Sequence, residues 1–454
     1  MGRHCKDLEL NYGLPTAPVG QATVVPYARN WDFEYSNGMP LRFTAIPTPV
    51  AGMNEEIIKG YLDGNDPTTG KPVKESIVDA LTAPLTEEEK FSGMPEQPAE
   101  PPRYLTFDSE AEAQEYFKSQ DWTDYLPVTL PTEARVQAML SGTSHSPDEI
   151  VKTVNWPAGA RDMTVEKVAI CAVMAGAKPA HFPAILAVAS QAPMGNSTTS
   201  MANTIIFNGP IVEELGINCG SNAMGPYAEA NAVIGRAFTI VSKTVGGLHG
   251  PNAPGELTTF SSLGSGLQYN NLCIGENEEE LPDGWDPLHV QLGFDEEESV
   301  VTVGTGWSYI SSFGETQTEF PPQEWIADYM RGLSGFGGAT IYMDPTVADI
   351  LSRVYGFNSK EMLSEYFTQN VEKTIREFWE NGGTCTFMAP TAKEGIEPYH
   401  TWYTEWQEGN GDKFINPYNN AQNIKIIVTG GMKNTTWFAT DFRPSQGVNI
   451  DSWK

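Results

Sequence analysis

Four stretches of this 454-residue chain carry side chains that could move a proton or hold a polar ligand. The first runs Cys273-Ile274-Gly275-Glu276-Asn277-Glu278 and continues to Trp285-Asp286-Pro287-Leu288-His289-Val290. Carboxylates beside an imidazole suit acid/base work, because histidine titrates near neutrality and carboxyl groups can be shifted toward it. Glu276 and Glu278 share one face if the segment is a strand. His289 follows a tryptophan in an otherwise apolar turn. These make Glu276 and His289 the leading acid/base candidates. The spacing matches no metal motif, so no metal ligands are assigned, and chance clustering in an acid-rich chain explains the same residues.

The second stretch is Leu215-Gly216-Ile217-Asn218-Cys219-Gly220-Ser221-Asn222-Ala223-Met224-Gly225-Pro226. Such a loop, leading into a helix start, offers backbone N–H groups to a ligand, with Asn218, Ser221 and Asn222 as hydrogen-bonding groups. A thiol there, Cys219, is a nucleophile if the helix start lowers its pKa. A turn that needs positive φ accounts for the same composition. Neither Walker nor Rossmann spacing is present, which argues against a nucleotide cofactor and leaves the cofactor unassigned. The third stretch, Thr244 to Pro251, sets His249 among glycines as a further ligand-binding candidate. The fourth, Ile426-Ile427-Val428-Thr429-Gly430-Gly431-Met432-Lys433, is a strand entering a Gly-Gly turn. Ligands bind at the carboxyl ends of strands in open α/β sheets, and Lys433 or Arg236 could balance negative charge there.

The elements that must position these residues alternate. Thr132 caps a helix bearing Val136, Met139 and Leu140. Ser146-Pro147-Asp148-Glu149 reads as a capping box opening a helix through Ile150, Val151 and Val154. Thr164 to Ala175 is apolar nearly all round, so it is a buried helix, and Pro183 begins another apolar segment. Strand-like runs follow at Thr204–Phe207, Phe238–Val241, Val300–Val303, Ala339–Tyr342 and Ile424–Val428, with helical segments at Glu324–Met330 and Ser359–Trp379. Nearly continuous β-branched strands are covered on both faces. The fold class expected is α/β, a mixed or parallel sheet covered by helices. Two segments, Ile205–Gly216 and Ile341–Leu351, both read strand, tight turn, proline, short helix. They suggest two repeated α/β halves, at 121–300 and 301–454, with a pocket between them. Residues 1–120, rich in proline, glycine and acids, read as an extended arm with short strand-like pieces.

The chain has 58 acids against 28 bases and a formal net charge of -30, with no basic stripe, which argues against nucleic acid and anionic membrane as partners. Its five cysteines form no CxxC pair. Reduced thiols, a polar start without an apolar signal region, and no uninterrupted apolar span point to a cytoplasmic protein.

Phe117–Val128 (FKSQDWTDYLPV), then Pro131–Val136 (PTEARV), resembles the GWTDGLPVVPPTxxRV opening of a poorly characterised bacterial family. Thr164–Pro179 (TVEKVAICAVMAGAKP) is similar to its TVEKVAINAVMAGCxP motif, and 208–236, 276–290 and 426–434 are similar too. Members tend to be encoded beside UGSC-family selenoproteins, which implies thiol or selenol redox chemistry on a small molecule with a partner chain. Ala177 stands where that family has cysteine and Tyr125 where it has glycine.

The expectation is therefore an enzyme acting on a small polar molecule, by acid/base or thiol-linked chemistry of lyase or reductase type. The alternative is a non-catalytic binding or partner subunit of a heteromeric complex. Self-association into a homo-oligomer is compatible with both.

Overall fold

The computed structural model describes residues 5, 8–9, 11–25, 28, 41–50, 53–84, 86–87, 102–120, 122–156, 159–191, 202–225, 227–245, 271–314, 319–333, 338–432 and 435–454. They fall into two units: Met1–Asp108 with Thr153–Arg161, and Ser109–Lys152 with Asp162–Lys454.

In the smaller unit, β1 (Val19–Gln21) pairs in parallel with β2 (Thr44–Ile46), and Val25, Phe43 and Ala45 form a small buried cluster. Two helices follow, α1 (Glu55–Asp63) and α2 (Val73–Thr82). The expectation of strand-like pieces alone is corrected here. Asn54 caps α1 by accepting from Ile57 N, and its first turn is acidic, as the positive end of a helix favours. Ala22–Val24 form a turn, although the run Ala22-Thr23-Val24-Val25 is one of the strand-like pieces of the sequence. The proline-rich run at 95–101 lies outside the described residues.

The larger unit opens with α3 (Glu110–Ser119) and α4 (Glu133–Leu140). A hairpin of β3 (Ile150–Trp156) and β4 (Gly159–Thr164) comes next along the chain, where the capping-box reading expected a helix. Its residues 153–161 belong to the smaller unit. Ile150, Val151, Thr153 and Val154 are β-branched and lose side-chain freedom in a helix, and Ser146–Glu149 closes as a turn instead. Helix α5 (Val165–Ala175) begins at a Thr164 cap and ends at Gly176, whose φ of 84° supplies the left-handed stop. Helix α6 (Phe182–Gln191) is buried along almost its whole length.

Strand β5 (Ala202–Asn208), short helix α7 (Ile211–Glu214), helix α8 (Glu229–Thr244), strand β6 (Asn271–Gly275), short helix α9 (Leu288–Gln291) and strand β7 (Val300–Gly306) complete the first half. The run Phe238–Val241, expected as a strand, lies inside α8. Buried Ala230, Ile234, Ala237, Phe238 and Val241 recur at helical spacing, which outweighs the local β-propensity. The second half comprises β8 (Tyr309–Phe313), α10 (Pro322–Met330), β9 (Ala339–Met343), α11 (Pro345–Arg353) and α12 (Lys360–Asn370). It continues with β10 (Lys373–Thr374), α13 (Ile375–Trp379), α14 (Gly382–Lys393), α15 (Tyr399–Gln407), β11 (Phe414–Ile415), β12 (Ile424–Val428) and β13 (Thr436–Thr440). The helical segment expected over 359–379 breaks after Asn370, and Thr374 with Glu377 forms a capping box that restarts it. Last come β14 (Arg443–Pro444) and β15 (Val448–Asn449).

The halves repeat one topology. In the first, β5 is flanked by parallel β6 and antiparallel β7. In the second, β9 is flanked by parallel β12 and antiparallel β13. Phe207 faces Gly275 and Val301 in register, as Met343 faces Val428 and Trp437. The second half also lends a strand to the first. The chain passes from β7 into β8, which pairs with β13, and from β13 into β14, which pairs with β7. At the crossing, the Asp441 carboxylate accepts from Trp307 N (2.8 Å), Ser308 N (2.9 Å) and Ser308 Oγ (3.0 Å). Gly306 is required there, because any Cβ would run into Asp441 and Phe442.

Both sheets are mixed and open. Helices α6 and α8 cover the outer face of the first, and α10 and α12 that of the second. Between the sheets lie Ala202, Ile206, Leu272, Ile274, Ile427, Phe438 and Phe442, all buried. Each large apolar side chain in that layer contributes about 1.5–3 kcal/mol. The hydrogen bond from Tyr342 OH to Thr204 Oγ1 (2.6 Å) that joins the sheets is worth about 1 kcal/mol net. Apolar burial therefore holds the layers together, and the hydroxyl pair fixes their register.

Candidate functional site

The loop after α7 is shaped by its own asparagines. Asn218 Oδ1 accepts from Gly220 N (3.0 Å) and Asn218 Nδ2 donates to the Ser221 carbonyl (3.0 Å). Asn231 on α8 then ties the loop to β6: its Oδ1 accepts from Asn218 N (2.8 Å), and its Nδ2 donates to the carbonyls of Asn218 and Cys273 (both 3.0 Å). Asn222 takes φ 62°, a conformation that asparagine tolerates better than most residues.

This loop of the first half meets the strand ends of the second. Gly430 N donates to the Cys219 carbonyl (2.8 Å), and Thr429 Oγ1 lies within hydrogen-bond distance of the Cys219 and Gly275 carbonyls. Asn277 N donates to the Val428 carbonyl (2.8 Å) and Asn277 Nδ2 to that of Gly430 (3.1 Å). A side chain on Gly431 would collide with Ser221 Oγ. The glycines of the 429–431 turn thus allow backbone to approach backbone, and three distant segments converge.

A cavity of about 350 Å³ opens beside this junction. Ser221, Asn222 and Met224 from the first half and Tyr342, Asp344 and Phe438 from the second line it. Tyr342 and Phe438 stack with ring centroids 4.5 Å apart and rings nearly parallel. Asp344, which follows β9, caps α11 by accepting from Val347 N (3.0 Å) and also receives Thr436 N. Burial raises its pKa above the ordinary aspartate value of 3.8, while the bonds from Val347, Thr436 and Thr346 pull it partly back.

The sequence candidates divide. Ser221 and Asn222 line this cavity. Asn218 shapes the loop and is committed to it. Cys219 contributes its carbonyl, and its thiol is pushed upward by burial, with Glu279 and Glu278 adding to the effect. The lowered thiol pKa expected from a helix start is corrected accordingly. Arg236 is engaged away from this cavity. Its guanidinium clasps Asp124 through two bonds (2.8 and 3.0 Å) and donates to the Pro127 carbonyl. His249 and Lys433 lie outside the described residues.

The acid/base candidates lie in the interior. Glu276 is buried and saturated: Oε1 is paired with Lys360 Nζ (2.6 Å), and Oε2 accepts from Asn208 Nδ2 (2.8 Å) and Leu288 N (2.7 Å). Lys360 is itself 1% exposed. Glu278 does not extend the strand. It opens a 3-10 turn and accepts from Asn208 Nδ2 and Gly209 N (both 2.8 Å). His289 is fully buried in α9. Its Nε2 lies 3.3 Å from the Glu296 carbonyl, and its Nδ1 lies 3.7 Å from Glu278 Oε1 without a hydrogen bond. Neither Glu276 nor His289 lines the cavity.

Sequence reasoning missed Asp344, Asn231, Asn277 and Lys360. Asp344-Pro345 carried a signal, a capping residue with proline at the first helical position, yet that pattern announces a helix start and says nothing of a cavity. Among the described residues, no three His, Cys, Asp or Glu side chains group to hold a metal, and no helix is long and apolar enough to cross a membrane. No protein-family model matches the chain, and no curated protein matches it.

Proposed function

We propose that this chain is an enzyme acting on a small polar molecule held between the 221–224 loop and the ends of β9 and β12, with Asp344 as the proton carrier. The observation that carries this reading is a carboxyl group, raised in pKa by burial, on the wall of a cavity to which both halves contribute. A carboxyl poised above its ordinary range exchanges protons more effectively near neutral pH. Ser221 and Asn222 supply hydrogen bonds to orient the ligand, and the stacked Tyr342 and Phe438 give its carbon skeleton a flat apolar floor. Acid/base chemistry fits better than the thiol chemistry that the family resemblance implies, because burial drives Cys171, Cys219 and Cys273 away from the thiolate form.

A binding protein without turnover is the second reading. It is favoured by the fact that both Asp344 oxygens already accept backbone N–H groups, as a purely structural cap would. Ligand-observed NMR against a mixture of polar metabolites, read for both binding and conversion, separates the two. Asp344→Asn keeps an acceptor for Val347 N and gives up the one for Thr436 N. In an enzyme it keeps ligand binding and loses at least 100-fold in turnover, whereas a binding protein shows no conversion even in the native chain. Gly431→Val should abolish binding in either case. Full turnover by Asp344→Asn would remove the catalytic assignment.

A further inference from the structure

A second cavity, of about 570 Å³, lies at the opposite end of β12 from the first. The residues that begin that strand, Ile424 and Lys425, line it, together with Gln291 and Leu292 from the end of α9, Glu361 and Glu365 from α12, and the segment after β13. Lys425 pairs in register with Thr340, as Ile427 pairs with Tyr342. Side chains two apart on a strand share a face, so Lys425 projects toward the layer between the sheets.

Lys425 is half-buried there, and no hydrogen bond or ion pair reaches its ammonium from the described residues. Burial lowers its pKa, with the Glu361 carboxylate acting in opposition through space. Glu361 is already engaged by Gln291 Nε2 (2.7 Å). A partly desolvated cation without an acceptor loses some of its solvation, and an anion brought to it restores that loss. An anion alone would face Glu361 and Glu365 as well as Lys425 and Arg443, so the lining offers both signs of charge. A ligand bearing both signs answers both conditions.

We propose that this cavity binds a small zwitterion, with its carboxylate on Lys425 and its ammonium on Glu365. The amides that complete the lining, Gln291, Gln422 and Gln446 among them, donate and accept, which suits a ligand with both kinds of group. The volume falls within the range of small-molecule pockets.

The experiment titrates the full chain by calorimetry with glycine, β-alanine, γ-aminobutyrate and 5-aminovalerate, which step the separation of the two charges. Butyrate and butylamine serve as single-charge controls at constant ionic strength. The expected result is saturable binding of at least one zwitterion, at least tenfold tighter than either control. Lys425→Gln and Glu365→Gln should each weaken it tenfold or more, and Asp344→Asn should leave it unchanged. The Glu365 variant keeps the test decisive if the Lys425 variant is poorly folded. The proposal is overturned if no zwitterion binds, if butyrate binds as well as they do, or if neither variant weakens binding. Loss of binding in Asp344→Asn would instead place the ligand in the first cavity.

Discussion

The two sheets end differently, although their strands are laid out alike. At the end of the first, Asn208 and Glu276 close the central strand and its parallel neighbour, and a lysine from the second half reaches across to neutralise the carboxylate. At the end of the second, Asp344 and Thr429 occupy the matching places. There the first half contributes a loop carbonyl and hydroxyl-bearing or amide side chains, not a charge. One end is therefore sealed around an ion pair, while the other keeps a hollow and a carboxyl that resists ionisation. The lesson is that duplicated backbone fixes where side chains meet, and that a single cross-half residue, lysine or serine, decides whether the meeting place is filled or open.

The largest test of this contrast is Lys360→Met. It strands the Glu276 charge in the interior and should cost about 3–5 kcal/mol in denaturant unfolding. Adding Glu276→Gln should recover much of that loss, since an uncompensated buried charge costs more than a missing pair. Equal stability of the single and double variants would mean that the sealed end does not depend on charge compensation. Tyr342→Phe comes next. It removes the bond to Thr204 Oγ1 and leaves that hydroxyl buried without its partner, for an expected loss of about 1–2 kcal/mol. No loss would show that apolar packing alone sets the register between sheets.

The smallest effect belongs to Asp344→Asn, read as the pH dependence of stability. The folded-state pKa of Asp344 is raised, so the folded chain binds its proton more tightly than the unfolded chain does. Its ionised form costs stability above the raised value, and that cost is relieved as pH falls from there toward the ordinary 3.8. An amide at this position does not titrate, so the substitution removes the contribution. The difference in unfolding free energy between variant and native chain should therefore shift in favour of the native chain as pH is lowered through that window. A pH-independent difference would count against a poised carboxyl at the open end.

The architecture was largely legible because runs rich in β-branched residues such as Ile424–Val428, bounded by turn residues, suit strands covered on both faces. The repeat was visible through strand, turn and proline at Ile205–Gly216 and Ile341–Leu351. Short ambiguous stretches were misread where a longer pattern governed. Phe238–Val241 is locally β-like but belongs to a sixteen-residue helix whose apolar stripe only the wider window reveals. The segments that meet at the cavity could be named from their glycines. The charge state of the meeting could not, because Glu276 and Lys360 are 84 residues apart and no local spacing joins them. For the same reason Glu276 looked like a catalytic acid in sequence and is an interior counter-ion in space.

The strands that the second half lends to the first have a consequence for how copies of this chain can associate. The first half does not own all the strands of its sheet, because β14 and β15 come to β7 from the second, so in isolation it would be left with an unfilled edge. Trp307–Ser308 is a short link on which that exchange turns. If the link were to swing outward, β14 and β15 could be laid on β7 of a neighbouring molecule, giving an intertwined dimer with every native pairing kept. Shortening or stiffening those two residues is thus a lever on self-association that leaves the cavity-lining residues untouched.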